Sequence, residues 1–536
     1  MARVHRSRGA ALAAGALALV LALTGCASGG DAGGEGAGGG TLTFAIGNDP
    51  LNFSPSAKGG NGNDTWYVTR QLYDSLVYYN PETKEAEPWL AESFEVNEDA
   101  TQYTFTLRDD VTFSDGTKLT ANTVKLNFDD IKAAGAESSA VAYLATYEGT
   151  EVRDDRTAVV TFSTPNAAFL AQASTATLGL VSDASIEVPF GERSGGTNIS
   201  GSGPFVLESY TKDQSTKLTK RAEYAWAPAA FGNTGAASLD AVEFNVIPEA
   251  GNRTGGLTSG QIDVAGGIAP NDIETVQASA EIVERPNPGT VFGVYFNEKN
   301  PIIADEAVRE AVAYAVDPQQ IRDGALNDHF AVATGVLSQS TSDYADLSAT
   351  LPKTDTAKAE SLLDAAGWTK GADGIREKDG QKLTFRITYI NNFGPNADSI
   401  ALLQQQLQAV GIGSEQISGT VPEFQESITS GEYEIAWRNL SSVDADVLRL
   451  DFSDVGTTNW PVSDPALNQQ LIDQATIGDP AARTAELKTI QEELIAGHHF
   501  VPVHELTTVV GVGSGVTGIQ LGADSRLDLL VNVKKG

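Results

Sequence analysis

Two periodicities alternate along most of this chain. "TLTFAI" at Thr41–Ile46 and "QYTFTL" at Gln102–Leu107 place apolar residues at every second position, the signature of half-buried strands. "DEAVREAVAYAVDPQQI" instead puts Val308, Ala311, Val312, Ala315 and Val316 on one helical face, and the Asp317-Pro318 pair that follows reads as an N-cap and first helical residue of a second helix. "DTAKAESLLDAAGW" predicts a helix capped near Asp355 and stopped by Gly367. "DSIALLQQQLQAVGI" aligns Ile400, Leu403, Leu407 and Val410 ahead of Gly411, and "RTAELKTIQEELIAG" aligns Leu487, Ile490 and Leu494. Strands such as "LTFRITYI" and "EYEIAW" lie between these helices. The alternation predicts an α/β protein with at least one partly parallel sheet.

The N-terminus follows neither period. Arg3, Arg6 and Arg8 precede an almost wholly Ala, Leu, Val and Gly run from Gly9 to Leu23. That run is short for a membrane-crossing helix, which needs roughly 20 residues, and fits a secretory leader. Leu23-Thr24-Gly25-Cys26 closes it and resembles a bacterial lipobox, in which cleavage before the cysteine leaves a diacylglycerol-bearing thiol. Cys26 is the only cysteine of 536 residues. Acylation gives a lone thiol a purpose, since each buried CH₂ adds about 0.8 kcal/mol of membrane affinity. Residues 1–25 are therefore expected to be a lipoprotein signal peptide and 26–40, rich in glycine, a flexible tether.

Composition narrows the function. The formal net charge is −34, and removal of a leader with three arginines and no acid makes the remainder more acidic still. Such a surface repels phosphate backbones and anionic headgroups, so no nucleic-acid partner is expected and membrane attachment is expected through lipid only. With Cys26 acylated, disulfides and cysteine metal sites are excluded. The length exceeds one compact core and suggests two or three lobes.

Further segments resemble the large solute-binding proteins of ABC importers, the group of oligopeptide-, dipeptide- and nickel-binding proteins. They are "QLYDSLVYYNPETKEAEPWLAESFEVNEDATQYTFTLRDDVTFSDGTKLTANTV", "GSGPFVLESY", "LTSGQIDVAGG", "VYFNEKNPIIADEAVREAVAYAVD", "KAESLLDAAGW" and "FVPVHE", in family order. Several have plain structural readings too. Gly116 in "SDGT" suits a turn with positive φ, Gly201, Gly203 and Pro204 shape a tight loop, and Arg309 is expected to be a surface or interlobe ion-pair residue.

The resemblance implies a two-lobe, type II periplasmic-binding-protein-like fold with an extra subdomain inserted in the first lobe. Lobe I is expected at 41–284 and 505–536, with the insertion at about 76–185, and lobe II at 285–504. It implies a monomeric receptor at the outer face of the cytoplasmic membrane that closes on a solute and delivers it to permease and ATPase subunits, without a cofactor and without chemistry of its own. A peptide-like ligand is the first expectation. A metal chelate, an oligosaccharide or a signalling role within a sensory lipoprotein are the alternatives.

Enzyme signatures are poor. HExxH, GxSxG and GxxxxGK[ST] are absent, and the two GxGxxG matches, Gly34–Gly39 in the tether and Gly513–Gly518, lead into no convincing helix. His498, His499, His504 and Glu505 cluster in sequence, but in the resembled family this stretch is a helix end and a crossing strand, so no metal is expected there. For ligand contacts, "YEIAWRNLSSVDADVLRL" occupies the position where relatives run from a strand into the cleft. Trp437 offers an aromatic face, Arg438 a fork for a carboxylate and Asn439 both halves of an amide pair. Asp444 and Asp446 fall where peptide-binding relatives hold an α-ammonium, although the usual "DPD" is here Asp-Ala-Asp. A helix N-cap is the equal alternative. Trp66 and Tyr67, in "GNDTWYVTRQLY", and Trp460, in "TTNWPVSDP", complete the set, with core packing the rival for the first two.

Overall fold

A computed structural model describes residues 39–58, 62–455 and 462–536. Cys26, the leader, nearly all of the tether and Trp460 lie outside the described residues.

Thr41–Ile46 pairs in parallel with Ala241–Val246, in register from Thr41↔Ala241 to Ile46↔Val246. A parallel pair cannot be joined by a hairpin. The connection here carries a whole substructure, the four-stranded antiparallel sheet of Ala91–Val96, Gln102–Leu107, Thr157–Phe162 and Tyr147–Val152. Edge-on aromatic contacts knit its core, with Phe169 against Tyr103 at 4.8 Å and against Phe162 at 4.7 Å between ring centres.

Two mixed sheets carry the rest. The first has the order Glu281–Pro286, Thr507–Val512, Val264–Gly266, Thr41–Ile46, Ala241–Val246, Ser215–Lys220, Phe205–Thr211. The second has the order Gly413–Gly419, Thr384–Ile390, Ile435–Ser441, Gly289–Phe296, Phe500–His504. Only the strands around Thr41–Ile46 and around Thr384–Ile390 run parallel, so both sheets are partly parallel. The predicted helices form at Glu306–Ala315, Pro318–Ala325, Thr356–Ala365, Asn396–Ala409 and Pro480–Ala496, with the Asp317 and Asp355 caps and the Gly367 and Gly411 stops in place. This is the α/β two-lobe fold.

The chain passes between the sheets twice. It leaves the first sheet after Pro286 and enters the second at Gly289, then leaves the second after His504 and re-enters the first at Thr507. The two passages lie side by side, tied by the Asn287 amide donating to the Leu506 carbonyl at 2.7 Å. Gly289 has φ +112°, and a Cβ there would sit 2.0 Å from the Leu440 oxygen, so only glycine fits this passage. The "GSGPF" loop has the same logic, since a Cβ on Gly201 would lie 2.0 Å from the Leu72 oxygen.

Arg309 departs from expectation. It is buried within lobe II, not at the surface or between lobes, and donates to the carbonyls of Ile303, Ala304, Gly497 and His498 while standing 3.6 Å from Glu298. The helix face that carries it packs inward, and four of its N–H groups satisfy carbonyls left open by the turn at Ile303–Ala304 and by the end of the Pro480–Ala496 helix. Beyond Gly513 the chain turns into the short Val516–Thr517 strand, so no helix N-terminus stands behind that glycine motif.

Candidate functional site

Loops that follow the parallel strands meet between the lobes. Gly47 and Asn48 follow Thr41–Ile46, Pro248 follows Ala241–Val246, and Gly267–Pro270 follow Val264–Gly266. From the other lobe, Asn391–Pro395 follow Thr384–Ile390, and Asn439 comes from Ile435–Ser441. Strand carboxyl ends are where an open α/β sheet leaves its crevice. Together with Asn63, Asp64 and Tyr67 these segments enclose a cleft of about 470 Å³.

Its lining is amide-rich and sparingly charged. Among the described residues, the side-chain amides of Asn391, Asn392 and Asn439 have no protein partner. Asp64 and Arg253 are the two charged groups of the lining. Arg253 is spent on structure, its guanidinium donating to the carbonyls of Ile247, Pro248, Gly266 and Gly267 at 2.6–2.9 Å. Asp64 Oδ2 accepts from the Asn48 backbone and side-chain amides at 2.7 and 2.8 Å. Burial raises the Asp64 pKa, and the Asn48 bonds and the Arg253 charge oppose that rise. The aromatic floor is a layered column: Phe393 stacks on Phe292 at 6.0 Å, and Phe292 stacks on His504 at 5.0 Å and Trp437 at 6.0 Å.

The expected site residues fall in different places. Asn439 and Tyr67 line the cleft. Trp437 does not. It is fully buried one layer behind Phe292, with its Nε1 donating to Asn396 Oδ1 at 3.1 Å. Arg438, its neighbour on the strand, faces the other side of the sheet, where it pairs with Asp451 at 3.1 Å. Trp66, Asp444 and Asp446 line a second, smaller pocket of about 40 Å³ between the lobes. Asp444 is held by Arg483 through two bonds of 2.6 and 3.1 Å, and Asp446 by Arg449 through two of 2.5 and 2.8 Å. Arg483 outweighs desolvation and keeps the Asp444 pKa low. Both aspartates are already paired with an arginine, which removes the reason to assign either a ligand ammonium. Asp446 also precedes the short Val447–Phe452 helix, in accord with the capping alternative, though its side chain makes no cap bond.

The clustered histidines separate. His499 Nδ1 bonds Glu298 at 2.7 Å, His498 stands 3.7 Å from Glu306, and His504 meets the Glu505 carbonyl at 3.1 Å.

Sequence reasoning overlooked Asp64, Asn48, Asn63, Asn391, Asn392 and Arg526. A signal existed for Asn391 and Asn392, which directly follow a strand with parallel-sheet character. None existed for Arg526, brought beside Asn63 and Trp66 from the C-terminal segment.

Residues 85–450 match the family described as bacterial extracellular solute-binding proteins, family 5 middle. The chain is 28% identical over 408 residues to a probable D,D-dipeptide-binding periplasmic protein of Escherichia coli K12, covering 74% of each. It is 27% identical over 396 residues to the nickel-binding periplasmic protein of the same organism, covering 69% of this chain and 71% of the relative. The fold matches that of NikA from Brucella suis, solved with Fe(III)-EDTA, at a TM-score of 0.81 and 23% identity over 92% of this chain and all of the other.

Proposed function

The chain belongs to the bacterial extracellular solute-binding proteins of family 5, and on that premise we propose that it is a lipid-anchored receptor that captures a peptide-like solute between its lobes and hands it to the permease of an ABC importer. The observation that carries this reading is the cleft, in which uncommitted asparagine amides from the second lobe face the first lobe's loop edges. An amide side chain donates and accepts at once, the demand a peptide group makes of its site. The phenyl floor of Phe292 and Phe393 suits an apolar side chain. Catalysis needs a nucleophile or an acid–base pair at a reacting atom. The lining offers one carboxylate and an arginine whose N–H groups are spent on carbonyls, so the receptor is read as performing no reaction and depending on partner ATPase subunits for energy.

Transport by this route needs two lobes that favour closure only when loaded, since a ligand shifts that equilibrium by its differential affinity alone. The paired passages at 287–288 and 505–506 are the natural hinge. Acylation at Cys26 would hold the receptor near its permease.

A thermal-shift panel of defined tripeptides tests the ligand class. A true ligand at 100 times its Kd adds about 2.7 kcal/mol, and a panel without any stabilising member sinks the peptide reading. Membrane fractionation of Cys26→Ala tests the anchor: the variant is expected in the soluble extracytoplasmic fraction, and continued acylated membrane association refutes it.

A further inference from the structure

The small interlobe pocket holds donors with nothing to donate to. Its walls include Trp66 and Gln172 from the first lobe and its insertion, Asp444 and Asp446 from the second lobe, and Asp524 and Arg526 from the C-terminal segment. Arg526 stacks on Trp66, its guanidinium carbon 3.8 Å from the ring centre. Of its five N–H groups, the one on Nε bonds Asn63 Oδ1 at 2.8 Å. Among the described residues the four on Nη1 and Nη2 reach no acceptor at hydrogen-bond distance, the nearest carboxylate being Asp524 at 3.7 Å. Asp524 is meanwhile engaged at its other oxygen, which accepts the Arg526 backbone amide at 3.0 Å.

Trp66 is 95% buried by its 5% exposure, and its Nε1–H has no partner. Gln172 is half-buried, its Oε1 is shielded from solvent and unpartnered, and rotation of that amide presents its NH₂ instead. A buried donor without an acceptor is destabilising, because the water it lost is replaced by nothing. Trp66 Nε1 carries that deficit, and the Gln172 amide in the same wall holds a second buried polar atom without a partner.

We infer that this pocket is a carboxylate subsite, in which Arg526 and Trp66 hold an acidic group of the solute bound in the adjoining cleft. The inference rests on the cleft being the solute site, and Asn63 joins the two, lining the cleft while accepting from Arg526. The planar fork of a guanidinium matches a carboxylate's two oxygens, and the indole N–H supplies a third donor. Of the carboxylates already in the wall, Asp444 and Asp446 are closed by two bonds each from Arg483 and Arg449, and Asp524 stands 3.7 Å from the Arg526 fork, beyond hydrogen-bond distance. The role that sequence assigned to Arg438 thus belongs to Arg526, since Arg438 is committed to Asp451.

The test uses the full chain with ¹⁵N-labelled tryptophan, Trp66 assigned by Trp66→Phe, titrated with N-acetylglycine and separately with N-acetylglycinamide. The acid is expected to move the Trp66 indole resonance saturably and the amide not to, with affinity for the acid lowered about tenfold or more in Arg526→Gln and partly kept in Arg526→Lys. Equal responses to acid and amide, no response to the acid, or an unchanged Arg526→Gln overturns the subsite. In a second arm the protein is mixed with a tripeptide library in free-acid and C-terminally amidated forms, and bound material is read by mass spectrometry. Retention of both forms alike refutes the carboxylate subsite and leaves the peptide reading standing. Fragment binding without any retained peptide supports the subsite and refutes the peptide reading. Retention of free acids alone supports both.

Discussion

Arg438 and Asp451 pair at 3.1 Å inside lobe II, with Asp451 fully buried and its other oxygen accepting from Thr290 Oγ1 at 2.7 Å. A guanidinium that neutralises a buried carboxylate is structural, and its removal strands the charge.

Arg438→Met is therefore expected to destabilise the protein by about 3–5 kcal/mol. Solute affinity of the fraction that remains folded should stay near wild type. Denaturant melts with parallel calorimetric titration separate the two effects. A variant with normal stability and lost affinity would return Arg438 to the cleft.

For the cleft itself, Asn439→Leu is expected to lower solute affinity by about tenfold while the ligand-free melting midpoint hardly moves, because no protein bond is lost. Asp64→Asn keeps the shape and removes the cleft's one carboxylate, so it should discriminate against cationic solutes relative to wild type. Unchanged affinity profiles in both variants would place binding elsewhere.

Across the lobes, Lys84 Nζ donates to the Gln339 and Thr341 carbonyls at 2.8 and 3.0 Å. The lysine comes from the hairpin of the insertion, and the carbonyls belong to the second lobe. Lys84→Met keeps the aliphatic stem and removes the bonds, costing the closed state about 1 kcal/mol. Solution scattering should report a larger radius of gyration without ligand, and affinity should fall about fivefold as the closed population drops. A scattering curve identical to wild type would show that this bridge does not bias closure.

Acid should act on the aromatic column. His504 is wholly buried, its Nδ1 meets the Glu505 carbonyl, and its Nε2 has no partner, so burial lowers its pKa from 6.5 to about 4. Below pH 6.5 the unfolded chain takes up a proton that the folded chain refuses until about pH 4. Stability therefore falls as pH drops through that window, by up to about 3 kcal/mol. Asp74 works in the other direction. Burial raises its pKa to about 6 despite the 2.8 Å bond from Trp226 Nε1, so the folded state holds a proton between about pH 6 and 3.8 that the unfolded state releases. His504→Gln should flatten the acid side of the stability curve and Asp74→Asn should steepen it. Identical slopes in wild type and both variants would refute the assignment.

Local order was legible where local chemistry decides it. The Asp317 and Asp355 caps, the Gly367 and Gly411 stops and the buried stripe of Leu487, Ile490 and Leu494 depend on neighbours within a few residues. The family also followed from sequence, because six short blocks in order need no geometry. The cleft residues were legible only in part. Asn439 and Tyr67 lie on its wall, whereas Trp437, two residues from Asn439 on the same strand, supports the wall from behind.

The chain alone thus determined the alternation of strands and helices, the α/β class and the acidic character. Those are sums of nearest-neighbour preferences and composition. Tertiary structure decided which side chains are free to bind. Whether Arg438 or Arg526 retains unspent N–H groups depends on Asp451 in one case and on the approach of a C-terminal loop to Asn63 and Trp66 in the other. An arginine's availability is a property of its partners, and contacts 13 or more than 400 residues away leave no mark on the sequence beside it.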